Sequence, residues 1–205
     1  AFYPSIIEKS VDANKIIYFP YWAENIFVPI INSEYILNGV PRESFKIMFA
    51  GNIGEAQDFP SILETARLLK YDKNIQWIVL GAGRKEEWVK SKILEYQLDS
   101  CFHMLGSFSL EKMPQFYANA DAMLLSLKND YVFSLTIPAK LQSYLACGRP
   151  ILAMINGEGS KVVVDANAGL VCPAESPKEL VTNILKMKKM KTSDISKMEK
   201  NARKY

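Results

Sequence analysis

From Phe45 onward the chain repeats one unit: a short, almost uninterrupted apolar run, a turn carrying glycine or proline, and an amphipathic segment. The apolar runs are KIMFAG (46–51), IQWIVLG (75–81), FHMLG (102–106), DAMLLSL (121–127), PILAMI (150–155) and LVCP (170–173). Between them lie PSILETARLLKY (60–71), KEEWVKSKILEY (85–96), SLEKMPQFYANA (109–120), PAKLQSYLACG (138–148), GEGSKVVVDANAG (157–169) and PKELVTNILKMKKM (177–190), with apolar residues at helical spacing. Strands apolar on both sides and alternating with helices demand a parallel sheet covered on both faces. Right-handed crossovers make that an α/β, doubly wound, Rossmann-like fold. Ligands of such folds bind outside the carboxyl ends of the strands.

The flanks differ from this pattern. Residues 1–44 read as a helix (Phe2 to Val11), a strand KIIYFP (15–20) and an irregular stretch punctuated by Pro20, Pro29, Gly39 and Pro41. We expect them to be the tail of a preceding domain plus a linker, with the sheet domain at 45–190 and a truncated helical extension at 191–205. The opening AFYPSIIEKS has no initiator methionine and reads like the interior of a helix, as in a piece of a longer protein. The basic C-terminal stretch is expected to be a solvated helix face, with contact to anionic lipid as the alternative.

Composition narrows the function. With 49% apolar and 23% charged residues and a net charge of +3, this is an ordinary globular chain without an arginine-rich stripe, which argues against a nucleic-acid partner. Cys101, Cys147 and Cys172 stand far apart in apolar runs, a pattern of buried small hydrophobes and not of a zinc ribbon or disulfide framework. His103 is the single histidine, so a histidine-based metal site or catalytic triad is not expected; an edge-strand histidine is. No apolar stretch is long enough to span a membrane.

Four segments in order resemble group 1 (family 4) glycosyltransferases of the GT-B architecture: YFPYWAENIF, FAGNIGEAQDFPSILETARLL, MLGSFSLEKMPQFYANADAMLLSL and IPAKLQSYLACGRPILAMINGEG. The third is similar to a G-x6-(L/M)-x3-Y-x2-A-D stretch and the fourth to P-x-K-x3-Y-x-A-x-G-x-P. The likeness is greatest to bacterial O-antigen or capsule members that use UDP-linked amino-deoxy sugars. It implies the C-terminal, donor-binding half of a retaining, metal-independent hexosyltransferase without a cofactor. It also implies a nucleotide-sugar donor, a glycan or lipid-linked acceptor, an N-terminal domain of the same protein as partner, and a cytoplasmic place that extends to the inner membrane face.

A leaving diphosphate needs backbone N–H groups, a helix N-terminus and a cation. Gly51-Asn52-Ile53-Gly54 follows a strand and leads into a helix, so its glycines would let backbone approach phosphate or sugar; a tight turn without ligand is the alternative. Lys140 sits in the first turn of the 138–148 helix after Pro138, where a cation opposes the helix dipole unless an anion is near. The resemblance implies that Lys140, with Leu141 beside it, holds the diphosphate. It also places Gly106, Ser107 and Phe108 near the base, and Ser134 and Thr136 near the sugar; from their own positions at strand ends, Gly81 is read beside the nucleoside and the glycine-flanked Glu158 on a sugar hydroxyl or amide. Gly81-Ala82-Gly83 is equally a plain turn, Ser134 and Thr136 are equally helix-entry caps, Phe108 equally core, and Glu158 equally a turn residue.

The chain also departs from the family pattern. An arginine and a lysine common after the first strand are replaced by Asn52 and Gln57, and a pair of glutamates eight residues apart by Leu135 and Ser143. A rearranged donor site is therefore expected, in which Ser143 or Gln142 takes over part of the ribose contact; a site that has lost donor binding is the alternative. The rival functions are a UDP-sugar 2-epimerase-like enzyme, a non-catalytic nucleotide-sugar-binding module, and a nicotinamide-dependent dehydrogenase, the last weakened by Glu86 in the third glycine position.

Overall fold

A computed structural model describes residues 2–31 and 33–205. In chain order it contains α1 (Tyr3–Ile7), β1 (Phe45–Ala50), α2 (Phe59–Leu69), β2 (Ile75–Leu80), α3 (Glu86–Glu95), β3 (Phe102–Gly106), α4 (Met113–Ala118), β4 (Ala122–Ser126), α5 (Tyr131–Ser134), α6 (Ala139–Ala146), β5 (Ile151–Met154), α7 (Glu158–Asp165), β6 (Gly169–Cys172), α8 (Pro177–Lys188) and α9 (Thr192–Lys204). Every strand pairing is parallel and the order is β3-β2-β1-β4-β5-β6, so the winding direction reverses between β1 and β4. This is the doubly wound sheet expected from the alternation.

The apolar runs are continuous because both sheet faces are covered. On one face Ile47, Phe49 and Trp77 pack with Ile62 and Leu63 of α2, Val89 of α3 and Ile184 of α8. On the other Met48, Ala50 and Met123 pack with Phe116 and Tyr117 of α4 and with Leu141, Tyr144 and Leu145 of α6. Residues of β2 and β4 are buried without exception, whereas β3, at the edge, is buried only at Phe102. His103 lies on that edge strand with Nε2 2.6 Å from Gln76 Oε1, and burial lowers its pKa. All three cysteines are free and buried.

Three expectations are corrected. KIIYFP forms no strand: a short 3-10 turn covers Ala13–Lys15 and the following residues have no regular structure, with Ile17, Tyr18 and Phe19 largely exposed. A strand requires a neighbour for its N–H and C=O groups, and no described residue pairs with this one. The helix expected at 109–120 begins with a 3-10 turn at Leu110–Lys112, and the α-helix starts only at Met113. Pro114 has no N–H to donate and belongs in a first turn, which sets that boundary. The helix expected from Phe2 to Val11 shortens to α1, and Ser10 turns the chain at φ +61°.

Both flanks dock on the sheet domain. Phe27 stacks on Tyr117 at 5.9 Å between ring centres, Leu37 and Val40 are buried, and Asn119 Nδ2 donates to Glu34 O at 3.0 Å. The basic helix α9 is not wholly solvated. Ile195 and Met198 lie against one core and Ala202 in the other, and Arg203 Nη1 donates to Ala146 O at 2.9 Å.

Candidate functional site

The loops after β1, β2 and β3 stack edge to edge at the carboxyl end of the sheet. Gly51 N donates to Leu80 O, Ile53 N to Ala82 O and Gly81 N to Gly106 O, at 2.8–2.9 Å. Gly81 is required by this stacking: at φ +131° a Cβ there would overlap the Gly51 carbonyl oxygen. The glycines of G-x-G therefore serve the approach of adjacent loops, whatever binds above them.

Lys140 crosses the top of the sheet at the point of reversal. Although α6 packs on the face that holds Ala50, the Lys140 ammonium reaches Phe49, which faces the opposite core. It stands 4.0 Å from the Phe49 ring centre and donates to Gln57 Oε1 at 2.5 Å. It is also 3.1 Å from where a Cβ on Gly51 would be. Among the described residues it has no carboxylate partner. Burial without a counter-charge pushes its pKa down to about 7. The cation is thus held by a ring face and a neutral amide, beside a glycine loop and at a helix start.

Pro138 occupies the N-cap position of α6, with Lys140 second in the helix. Gly148 ends the helix at φ +64°, where Arg149 N donates to Tyr144 O at 3.1 Å. Just outside, Glu55 is shared by Lys85 at 2.5 Å and Lys128 at 3.0 Å, a positively biased rim.

The structure thus brings together Gly51, Gln57 and Lys140, with the exposed Asn52 amide 2.5 Å from the position a Cβ on Gly54 would take. Gly106 closes the neighbouring loop at φ +78° and Ser107 beyond it is exposed. Other residues have partners of their own. Ser143 is buried and donates back to Lys140 O at 2.8 Å, facing Tyr117, so its hydroxyl serves the helix and core. Leu141 is core. Ser134 Oγ donates to Tyr131 O at 2.6 Å and Thr136 Oγ1 to Val132 O at 2.8 Å. Neither caps a helix: Asp130 Oδ1 does so for α5, accepting from Val132 N at 2.8 Å. Glu158 opens α7 paired with Lys161 at 2.6 Å, which lowers its pKa. Phe108 lies 4.3 Å from the Phe116 ring centre and is partly exposed.

Two residues near this site were not anticipated. Phe49 read as one more apolar strand residue. Tyr144 Oη meets both the N–H and the C=O of Ala50, each at 3.1 Å. Its signal was the tyrosine four positions after Lys140 in P-x-K-x3-Y, on the same face of the helix.

Residues 37–205 match the family model for glycosyl transferases group 1. The chain belongs to that family. It is 27% identical over 177 residues to the probable glycosyltransferase WbjE of Pseudomonas aeruginosa, covering 83% of this chain and 43% of WbjE. It is 27% identical over 152 residues to the putative colanic acid biosynthesis glycosyl transferase WcaI of Escherichia coli K12, covering 69% of this chain and 35% of WcaI. The chain therefore spans less than half the length of these curated relatives. In fold it is similar to Anabaena HepE, solved with UDP and glucose, with a TM-score of 0.72 at 16% identity over 98% of this chain and 55% of HepE. Among the described residues no helix is long and apolar enough to cross a membrane.

Proposed function

We propose that this chain is the donor-binding half of a glycosyltransferase that moves a sugar from a UDP-sugar to a glycan or lipid-linked acceptor in bacterial surface-polysaccharide assembly, with retention at the anomeric carbon. The observation that carries the proposal is the Lys140 ammonium, poised beside Gly51 at the sheet's point of reversal with no carboxylate partner among the described residues. A diphosphate would supply a counter-charge. The UDP and glucose bound in HepE and the putative role of WcaI in colanic acid biosynthesis support the donor class and the pathway.

In this reading Lys140 and the N–H groups of the β1–α2 loop and the first turn of α6 offset the charge that grows on the leaving diphosphate. No metal ion or cofactor is called on. Among the described residues no paired carboxylates flank Lys140, and in this reading the leaving diphosphate itself takes the proton of the acceptor hydroxyl on the face it departs from. The acceptor side belongs to an N-terminal domain outside this chain, and the chain alone binds donor weakly and turns over little. A cytoplasmic location at the membrane face is part of the proposal. Its support is a groove where Tyr18, Tyr21 and Trp22 meet Arg203 at the end of the basic helix α9.

Titrating this chain with UDP, GDP, ADP and NAD, with and without Mg²⁺, tests the reading through amide NMR shifts. Saturable, metal-independent shifts with UDP in 51–57 and 138–143, lost in Lys140→Ala, are expected. A chain that answers only NAD, or answers UDP equally well in Lys140→Ala, would overturn it.

A further inference from the structure

The sheet is split where the proposed donor site lies, and one side-chain atom holds the split. In a parallel strand the N–H and C=O of a residue point to the same neighbour, and successive residues alternate sides. Phe45 N donates to Asn74 O at 2.7 Å and Gly51 N to Leu80 O at 2.9 Å, both towards β2. Ala50, of the opposite parity, therefore turns its N–H and C=O towards β4. Yet the β1–β4 pairing ends at Met48 and Met123. In place of β4, the hydroxyl of Tyr144 accepts from Ala50 N at 3.1 Å and donates to Ala50 O at 3.1 Å.

This bridge is internal and rigid. Tyr144 is fully buried, with its ring edge-on to Tyr117 at 5.3 Å between centres. It ties the residue before Gly51 to α6, the helix that carries Lys140 one turn earlier. The glycine loop and the lysine are thus referenced to each other through a single oxygen. Without that oxygen two backbone groups at the end of β1 lose their partner, and β1 must either close on β4 or shift its exit.

We propose that Tyr144 is a positioning residue of the donor site: its hydroxyl stands in for β4 on Ala50, holds the crevice between β1 and β4 open, and so aims Gly51 and Lys140 at one bound diphosphate. The inference rests on the donor-site reading given above. It assigns Tyr144 no contact with the nucleotide.

Tyr144→Phe removes the hydroxyl and keeps the ring. UDP and uridine affinities are compared by NMR titration in wild type, Tyr144→Phe, Lys140→Met and Ile184→Ala, the last a core truncation on the other face of the sheet. Tyr144→Phe is expected to weaken UDP by about tenfold or more while uridine stays within about twofold, because only the diphosphate uses the displaced groups. Ile184→Ala, destabilised but not misaimed, should leave the ratio of the two affinities unchanged. If Lys140→Met loses UDP and Tyr144→Phe keeps full UDP affinity, or loses uridine in proportion, the positioning role falls and the donor site stands. If Lys140→Met binds UDP as wild type does, or wild type does not bind it, the donor-site reading falls and this inference with it.

Discussion

The Lys140 ammonium lies 4.0 Å from the centre of the Phe49 ring, reaching a residue of the opposite sheet face across the end of β1. A ring face attracts a cation but returns little of the hydration that burial removes, and the Gln57 amide adds one neutral acceptor. The pKa falls to about 7 as a result. In the unfolded chain the lysine keeps its ordinary value near 10.5. Between these values the unfolded chain binds more protons, so this residue's contribution to stability rises with pH through the window and its full penalty is felt below about pH 7.

Lys140→Met should therefore stabilise the fold while removing the proposed diphosphate contact. We expect a gain of at least about 1 kcal/mol at pH 6 that shrinks steadily as the pH is raised towards 10. Urea unfolding of both proteins across that range measures it. A variant less stable than wild type at pH 6 would show that Phe49 and Gln57 satisfy the ammonium fully.

A bound diphosphate supplies the missing counter-charge and raises the lysine pKa again. Above pH 7 UDP is fully ionised, so the proton taken up on binding goes to Lys140. Affinity should fall as the pH rises from 7 to 9, towards the limit of about tenfold per unit set by one linked proton. Calorimetry at pH 8 in two buffers of different ionisation enthalpy should give different apparent heats. Equal heats together with a flat affinity from pH 7 to 9 would show that Lys140 takes up no proton when UDP binds.

Lys140 was legible in the sequence because a lysine just after a proline at a helix start is electrostatically misplaced, and that is a local fact. The six strands were legible for a similar reason, since burial on both faces forces continuous apolar runs. Phe49 and Tyr144 were not, because an aromatic in a core-facing position looks the same whether it fills space or organises a site. The failure at KIIYFP is of another kind: apolar and β-branched residues suit a strand, but pairing depends on a neighbour that the segment's own sequence does not specify. The docking of α9 was missed because Ile195, Met198 and Ala202 form a narrow stripe amid lysines and touch two different cores.

The stacked loops make a controlled comparison of glycines. Gly39 at φ +81° has open space where a Cβ would go, so Gly39→Ala meets only backbone strain, about 1–2 kcal/mol. Gly81 at φ +131° has the Gly51 carbonyl there, and Gly81→Ala must also displace the β1 loop. We expect it to cost about 4 kcal/mol and to weaken UDP binding even at temperatures where it is folded. Similar losses from the two substitutions, by denaturant unfolding, would show that the loops are not held in contact.

Asp58 carries a buried charge whose cost its neighbours offset only in part. It adopts the left-handed conformation (φ 47°, ψ 49°) at the N-cap of α2 and is 3% exposed. Its Oδ1 accepts a long bond from Ser61 N at 3.4 Å, while Oδ2 is buried without a partner. Burial raises its pKa, opposed by the Ser61 bonds and the Lys128 charge and reinforced by Glu175. A raised folded value means that the folded chain holds the proton more tightly, so stability falls as the pH climbs from the unfolded value through the raised one, and the penalty is complete above it. An asparagine in its place would tolerate that conformation and would keep the Oδ1 acceptor, with an uncharged amide instead of the stranded oxygen. Asp58→Asn should therefore stabilise the protein by about 1 kcal/mol at pH 7, with the gain vanishing below about pH 4. Thermal unfolding of both forms at pH 4 and pH 7 decides it. A gain that is equal at both pH values would trace to shape and not to charge, and a loss at pH 7 would mean that the carboxylate is held by a partner such as a bound water.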